Sequence, residues 1–397
     1  MVKIGILTYH RSLNYGAVMQ ASVLASEIKR RFPNTEVEII DYMSKRMDRY
    51  YKMITLYRGK ESVFHIKERL QMYMAFQRGL KELPLSKQKL ISDDTEKVYH
   101  WLDGRYDIII VGSDAVWNYH TRGLPNPYFP SGDVKCKYMS YAASCNGLGI
   151  SDFNEIKASD RDLIKASLQN FSYIGVRDLQ TEAFVHSILP QAKVYHNCDP
   201  SLLSQNLVHA DRSSLIKKLE EKYHYDSKKP TIAFMLSNHN GTIKRELAKR
   251  IKEYYGDKYQ TVSLYSYNPY ADIPYIADLT PQEWSIIFGL FDITISKYYH
   301  GTLFSLLNGT PVVTVGAEKS IAGMPNKITD VMERLGILDC YFPTENKSFA
   351  DWEALLRKVD KCLNRKSQIT IDESIAEERT SADSFFEILQ KLITEKE

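Results

Sequence analysis

The sequence predicts an α/β protein made of two doubly wound parallel-sheet domains that face each other across a cleft. Three observations lead there. Short β-branched apolar runs recur along the chain, and each is followed by residues at helical spacing. The runs are continuously apolar rather than alternating, as expected of strands covered on both faces. At 397 residues the chain exceeds one ordinary core, so two domains of about 150–200 residues are expected.

The first series opens with KIGILTY (3–9), followed by the helical run GAVMQASVLASEIKRRF. EVEIIDY (36–42), YDIIIVG (106–112), KYMSYAA (137–143), YIGVRD (173–178) and AKVYHN (192–197) are its further strands. Between the second and third strands, residues 43–100 form an insertion of basic, Tyr- and Met-rich helices. A second series follows the DPSLL turn: PTIAFMLS (230–237), TVSLYSY (261–267), DITISK (292–297) and PVVTVG (311–316). Helices are expected near 242–255, 281–290, 300–308 and 326–336. These elements divide into a Rossmann-like domain over 1–205 and a second over 206–375, which the charged, helix-prone stretch 209–226 begins. Residues 376–397 form an amphipathic last helix that can return to the first domain. Two such sheets place a ligand cleft between their carboxyl ends.

Composition narrows the class. Hydrophobic residues make up 44% and charged residues 25%, the balance of a soluble globular protein. The net charge of +3 gives no reason to expect a nucleic acid partner. The charge is uneven, however: residues 45–90 hold twelve Lys/Arg against four Asp/Glu. The N-terminal MVKIGILTYH lacks the apolar segment of a signal peptide, and no run approaches the roughly 20 apolar residues of a membrane span. Five well-separated cysteines without a CxxC pair read as reduced thiols of a cytoplasmic protein. Ten histidines without HExxH or HxH spacing give no reason to expect a metal.

The candidate chemistry lies where strands end. TYHRSLNYG places His10 and Arg11 after the first strand, with Asn14 and Gly16 at a helix start whose backbone N–H groups can bind an anion or a hydroxyl. VGSDAVWN places Asp114 after the third, as a general base or a sugar-hydroxyl ligand; alternatively Ser113 or Asp114 caps the next helix. IGVRD offers Arg177, which can grip a carboxylate or phosphate two-pronged, or else pair with an aspartate. Asp199-Pro200 reads as a structural turn. In the second domain, Asn240 and Gly241 lead into a helix whose N-terminus attracts phosphate, though a plain capped turn fits equally. No Walker motif or GxGxxG is present. SKYYHG delivers Lys297, Tyr298 and His300 to a helix start, where an imidazole can donate a proton or hold a phosphate oxygen. Lys319 and Lys327 stand in the next loop, where either can close over an anion.

The ordered set GILTYHRSLNYGAVMQA, DIIIVGSDAVWN, SYAAS, GVRDLQT, CDPSLL and SKYYHGTLFSLLNGTPVV resembles the polysaccharide pyruvyl transferase family over roughly residues 1–340. The resemblance implies a GT-B-like pair of Rossmann-like domains. It also implies transfer of the pyruvyl group of phosphoenolpyruvate onto two hydroxyls of a sugar, as a cyclic ketal, in capsule, exopolysaccharide or cell-wall synthesis. His300 then matches the family's histidine near the donor and Arg177 the arginine of its VRD motif, while Tyr298 stands where many members carry arginine. Phosphoenolpyruvate, acting as substrate with no further cofactor, would be held by Arg177, Lys297, His300 and the helix start at 241–242. Asp114 or His10 would act on the acceptor hydroxyl from the first domain. Acceptors in such pathways are often lipid-linked, and the basic insertion can rest on the cytoplasmic membrane face. Two other readings remain: a GT-B glycosyltransferase using a nucleotide sugar, and a non-catalytic glycan-binding homologue.

Overall fold

The computed structural model describes residues 1–56, 65–130, 134–146, 148, 153–204, 211–236, 241–316, 320–321, 324–344, 351–364 and 368–396. The apolar runs form two parallel sheets. The first holds β1 (Lys3–Leu7), β2 (Glu36–Ile39), β3 (Ile108–Val111), β4 (Lys137–Ser140), β5 (Phe171–Val176) and β6 (Val194–His196), in the order β2-β1-β3-β4-β5-β6. The second holds β7 (Thr231–Met235), β8 (Gln260–Ser263), β9 (Ile293–Ser296), β10 (Val312–Gly316) and β11 (Tyr341–Pro343), in the order β8-β7-β9-β10-β11. Every strand pairing within both sheets is parallel. Strands such as Ile108–Val111 are buried throughout, which explains their unbroken apolar sequence.

The strand order places the site. In each sheet the chain leaves the first strand toward one edge and the third toward the other, opening a crevice at their carboxyl ends. The segments after β1 and β3 border one crevice; those after β7 and β9 border the other. Helix α1 (Tyr15–Arg31) starts in the first crevice, where the Asn14 side chain accepts from the N–H of Ala17 at 3.4 Å and caps it.

The insertion contains α2 (Lys45–Leu56) and α3 (Ile66–Leu80). α3 reaches across to the second half. Its Arg78 pairs with Asp278 at 2.6 Å, and the carbonyl of Gly79 accepts from Gln282 at 3.0 Å. Gly79 allows this approach, since a Cβ there would lie 2.3 Å from Pro281. Tyr15 of α1 packs between Phe76 of α3 and Trp284, at 5.8 and 5.6 Å between ring centroids. An aromatic seam therefore joins the insertion, α1 and the second half.

Further helices used below are α4 (Leu179–Ile188), α5 (Gly241–Tyr255), α6 (Pro281–Ile287, which carries Trp284), α7 (Tyr299–Leu307), α8 (Lys327–Arg334) and α9 (Asp383–Thr394). α9 packs on the first sheet: Phe385 meets Tyr141 at 4.7 Å and Tyr173 at 5.5 Å, and the Tyr173 and Ser384 hydroxyls are 3.0 Å apart. The edge strand β11 is not legible in the sequence, because three residues ending in proline carry no strand pattern. All five cysteines are buried thiols. Among the described residues, no helix is long and apolar enough to cross a membrane.

Candidate functional site

The segment after β3 turns sharply at Asp114, whose φ of 69° lies in the left-handed region. Asp114 does not cap the next helix: Asn118 does so for Tyr119–Arg122, accepting from the N–H of Thr121 at 3.1 Å. The Asp114 carboxylate instead accepts from Asn14 Nδ2 at 3.2 Å and stands 4.0 Å from Arg177 Nη2. Asn14 thus holds the start of α1 with its oxygen and Asp114 with its amide.

Arg177 follows β5 and is 1% exposed. Its neighbour Asp178 caps α4 through Thr181 and accepts the Ser144 hydroxyl at 2.6 Å, so it is engaged elsewhere. Arg177 pairs with Asp199, Nη1 to Oδ2 at 3.1 Å. The same Asp199 oxygen accepts from Gln20 Nε2 of α1, while Oδ1 accepts from the N–H of Ser201 at 3.0 Å. Asp199 is therefore both the cap of the Pro200–Leu203 turn and the hub of a buried polar group. Asp199-Pro200 forms the turn its sequence implies, and the aspartate also serves Arg177.

The second half contributes α7. Its second residue, His300, is buried, and its Nε2 lies 3.8 Å from Asp199 Oδ2 with no hydrogen-bond partner. Nε and Nη2 of Arg177 also lack hydrogen bonds. The Arg177 guanidinium and the Lys327 ammonium lie 4.6 and 5.9 Å from the centre of the buried Tyr299 ring. Behind them, Arg334 of α8 binds Glu378 at 2.6 Å, Asp330 at 3.3 Å and the carbonyl of Arg177 at 3.5 Å. This support has no local sequence signal, since it joins elements far apart in sequence.

The electrostatics follow from this crowding. Burial pushes the His300 imidazole below its ordinary value; Arg177 and Lys327 add to the effect, and Asp199 and Asp114 oppose it. Burial, and then the charge of Arg177, likewise lower the Lys327 ammonium. For Asp114, burial raises the carboxyl, but Arg177, His300 and Lys327 outweigh it and hold the group below the usual carboxylate range. The site is a buried cluster with cationic and unpartnered N–H groups on one side and an ionised Asp114 on the other. Such a cluster can hold a small polyanion and remove a proton from a neighbouring hydroxyl.

Of the residues expected from sequence, Asn14, Asp114, Arg177, His300 and Lys327 come together. His10 and Arg11 form a separate group. Arg11 grips the Asp41 carboxylate with two nitrogens, and His10 Nε2 stands 3.4 Å from the same group. Burial lowers the His10 imidazole, and the Arg11 and His10 contacts hold Asp41 well below the carboxylate range despite its own burial. Lys297 directly follows β9 and is half-buried, its N–H on the carbonyl of Met235 at 3.0 Å. Tyr298 takes the cap position of α7 and tilts its ring onto Tyr265 at 4.3 Å. Gly241 is the first residue of α5, whereas Asn240 and Lys319 lie outside the described residues.

Solved structures share this architecture. The UDP-GlcNAc 2-epimerase of Methanocaldococcus jannaschii superposes with a TM-score of 0.53 at 14% identity, covering 95% of this chain and 99% of that one. The Neisseria meningitidis UDP-GlcNAc 2-epimerase gives 0.52 at 9% identity, over 98% and 100%. The UDP-N-acetylglucosamine 2-epimerase of Rickettsia bellii gives 0.54 at 10%, over 98% and 96%. At such identity the likeness establishes the fold alone, a GT-B-like pair of Rossmann-like halves. No curated protein sequence matches the chain. The sequence profile described as polysaccharide pyruvyl transferase matches residues 14–318, from the capping Asn14 past His300 and beyond β10, and the chain belongs to that family of transferases.

Proposed function

We propose that the protein transfers the pyruvyl group of phosphoenolpyruvate onto two hydroxyls of a sugar, forming a cyclic ketal and releasing phosphate, during synthesis of a capsular, extracellular or cell-wall polysaccharide. The observation that carries this reading is the meeting of Arg177, Lys327 and the unpartnered His300 Nε2 around Tyr299, opposite Asp114. Phosphoenolpyruvate presents a carboxylate and a phosphate on a three-carbon frame. Two cations and an imidazole in one buried place match that charge.

The chemistry divides among these residues. A proton reaches the methylene carbon of the enol, turning it into a methyl group and leaving a cationic centre at C2. The first acceptor hydroxyl attacks C2 and loses its proton to Asp114. The C2–O bond to phosphate then breaks, the leaving phosphate taking the bonding pair. The second hydroxyl closes the ring and gives up its proton. Of the two protons released, one replaces that taken by the methylene carbon and the other leaves with the phosphate. His300, neutral in the free site, becomes a proton donor once a trianion beside it raises its affinity for protons. Arg177 and Lys327 neutralise the carboxylate and phosphate as charge moves onto the leaving group. Asn14 orients Asp114.

The acceptor is taken to be lipid-linked, with the protein resting on the inner membrane face. Ile66, Leu70 and Met74, four residues apart on α3, form an apolar stripe 45%, 39% and 53% exposed, and Tyr50 and Met53 of α2 are likewise exposed. With the basic surplus of this segment, the stripe supports contact with anionic lipid.

The test is phosphate release from phosphoenolpyruvate that depends on a glycan with two neighbouring free hydroxyls, with a pyruvyl ketal identified in the product by mass spectrometry. Hydrolysis or transfer of UDP- or GDP-sugars in its place would remove the proposal.

A further inference from the structure

A pocket lined by aromatic, apolar and charged residues lies beside the site, between the end of β1, the loop following Asn126 and helix α2 of the insertion. It opens to solvent on one side, so that a sugar ring can lie across its mouth. Tyr9, Tyr42 and Tyr128 form an aromatic wall, with Tyr9 and Tyr128 edge to face at 4.9 Å. Met47 and Tyr51 of α2 complete the opposite side.

Two cations border this cavity, and they differ. Arg11 is already neutralised by Asp41. Arg122 lies flat over the Tyr9 ring, its Cζ 3.4 Å from the centroid; it feels the charge of Asp114 but makes no direct ion pair among the described residues, and its buried Nε has no hydrogen bond. The cavity also touches the segment that carries Asp114. The Tyr9 hydroxyl donates to the carbonyl of Val116 and the Thr8 hydroxyl to that of Ser113, each at 3.3 Å. A ring seated against Tyr9 therefore lies next to the proposed base.

We infer that this cavity is the acceptor subsite and takes a sugar ring bearing a negative charge, a carboxylate or a phosphate, held by Arg122. The inference rests on the proposed function only in calling the bound sugar the acceptor. Tyrosine rings supply the apolar face that stacks on a pyranose. An arginine with no direct ion pair supplies the charge that a neutral sugar would leave unanswered. The insertion gains a second role, because α2 closes the pocket that selects the acceptor.

Binding can be measured by saturation-transfer NMR without donor, using glucose, glucuronic acid and glucose 1-phosphate. The wild type should bind one or both charged sugars about tenfold or more tighter than glucose. The carboxylate and phosphate arms distinguish the two sources of charge. Arg122→Gln should erase the preference, and Met47→Trp, which fills the cavity, should block all three sugars. Both variants should keep the thermal shift that phosphoenolpyruvate gives the wild type. Glucose binding as tightly as the charged sugars, no sugar binding at all, or a preference surviving both substitutions would overturn the inference. Loss of charged-sugar binding in the variants supports the subsite even if phosphoenolpyruvate never binds, so the two ideas fail separately.

Discussion

His300 of the second half lies against Gly16 of the first: a Cβ on Gly16 would come within 2.1 Å of the imidazole Cγ and Nδ1. The glycine near the start of α1 is thus the surface on which the histidine ring rests. Gly16→Ala should push His300 away from Asp199 and lower kcat about 100-fold or more. Stability should change by only about 1–3 kcal/mol, since helix residues generally favour alanine while the clash opposes it. Activity assays and denaturant unfolding on one preparation check both expectations.

Asp199 should be worth more to the fold than to the chemistry. It neutralises Arg177 and accepts from Gln20 and Ser201 in a buried place. Asp199→Ala leaves Arg177 buried with only the distant Asp114 carboxylate, which should cost about 3–5 kcal/mol. Chemical denaturation of this variant, beside Asp178→Ala as a helix-cap control, measures the difference.

Donor binding should be coupled to proton uptake. His300 and Lys327 are both lowered in the free protein, chiefly by burial. A bound trianion favours their charged forms, so each pKa rises on binding. Affinity for phosphoenolpyruvate should therefore fall as pH climbs between the free and bound values, with protons taken from buffer throughout that window. Calorimetry in buffers of different ionisation enthalpy reads the uptake directly. In His300→Gln the histidine part should vanish and kcat drop about 10²–10⁴-fold. In Lys327→Met the donor KM should rise about 10–100-fold.

The exposed stripe on the insertion predicts a membrane phenotype separable from catalysis. Replacing Met53, Ile66, Leu70 and Met74 with serine should weaken sedimentation with anionic vesicles about tenfold or more. Turnover on a short water-soluble acceptor should hardly change. Equal sedimentation of the variant and the wild type would argue against the contact.

The sequence showed the strands because both faces of each are buried, which leaves unbroken apolar runs such as Ile108–Val111. It showed Asp114, Arg177 and His300 because strand ends at a switch point are where side chains meet ligands. Asp199 was half legible: an Asp-Pro pair marks a turn whether or not the second carboxylate oxygen serves an arginine. His10 looked as promising as His300, yet it turns to Asp41, a partner brought close only by the pairing of β1 with β2. Arg122 left no local signal, since its position over Tyr9 depends on the chain folding back across more than a hundred residues. Side chains placed by one strand end can be read from sequence; those placed by two distant elements cannot.

The central claim is that the cluster around Tyr299 holds phosphoenolpyruvate, and titration calorimetry of the wild type and Arg177→Lys tests it most directly. Arg177→Lys keeps the charge but loses the planar fork. Phosphoenolpyruvate should bind the wild type saturably and the variant about tenfold or more weaker, and UDP- or GDP-sugars should bind neither. Binding of a nucleotide sugar with no heat from phosphoenolpyruvate would contradict it.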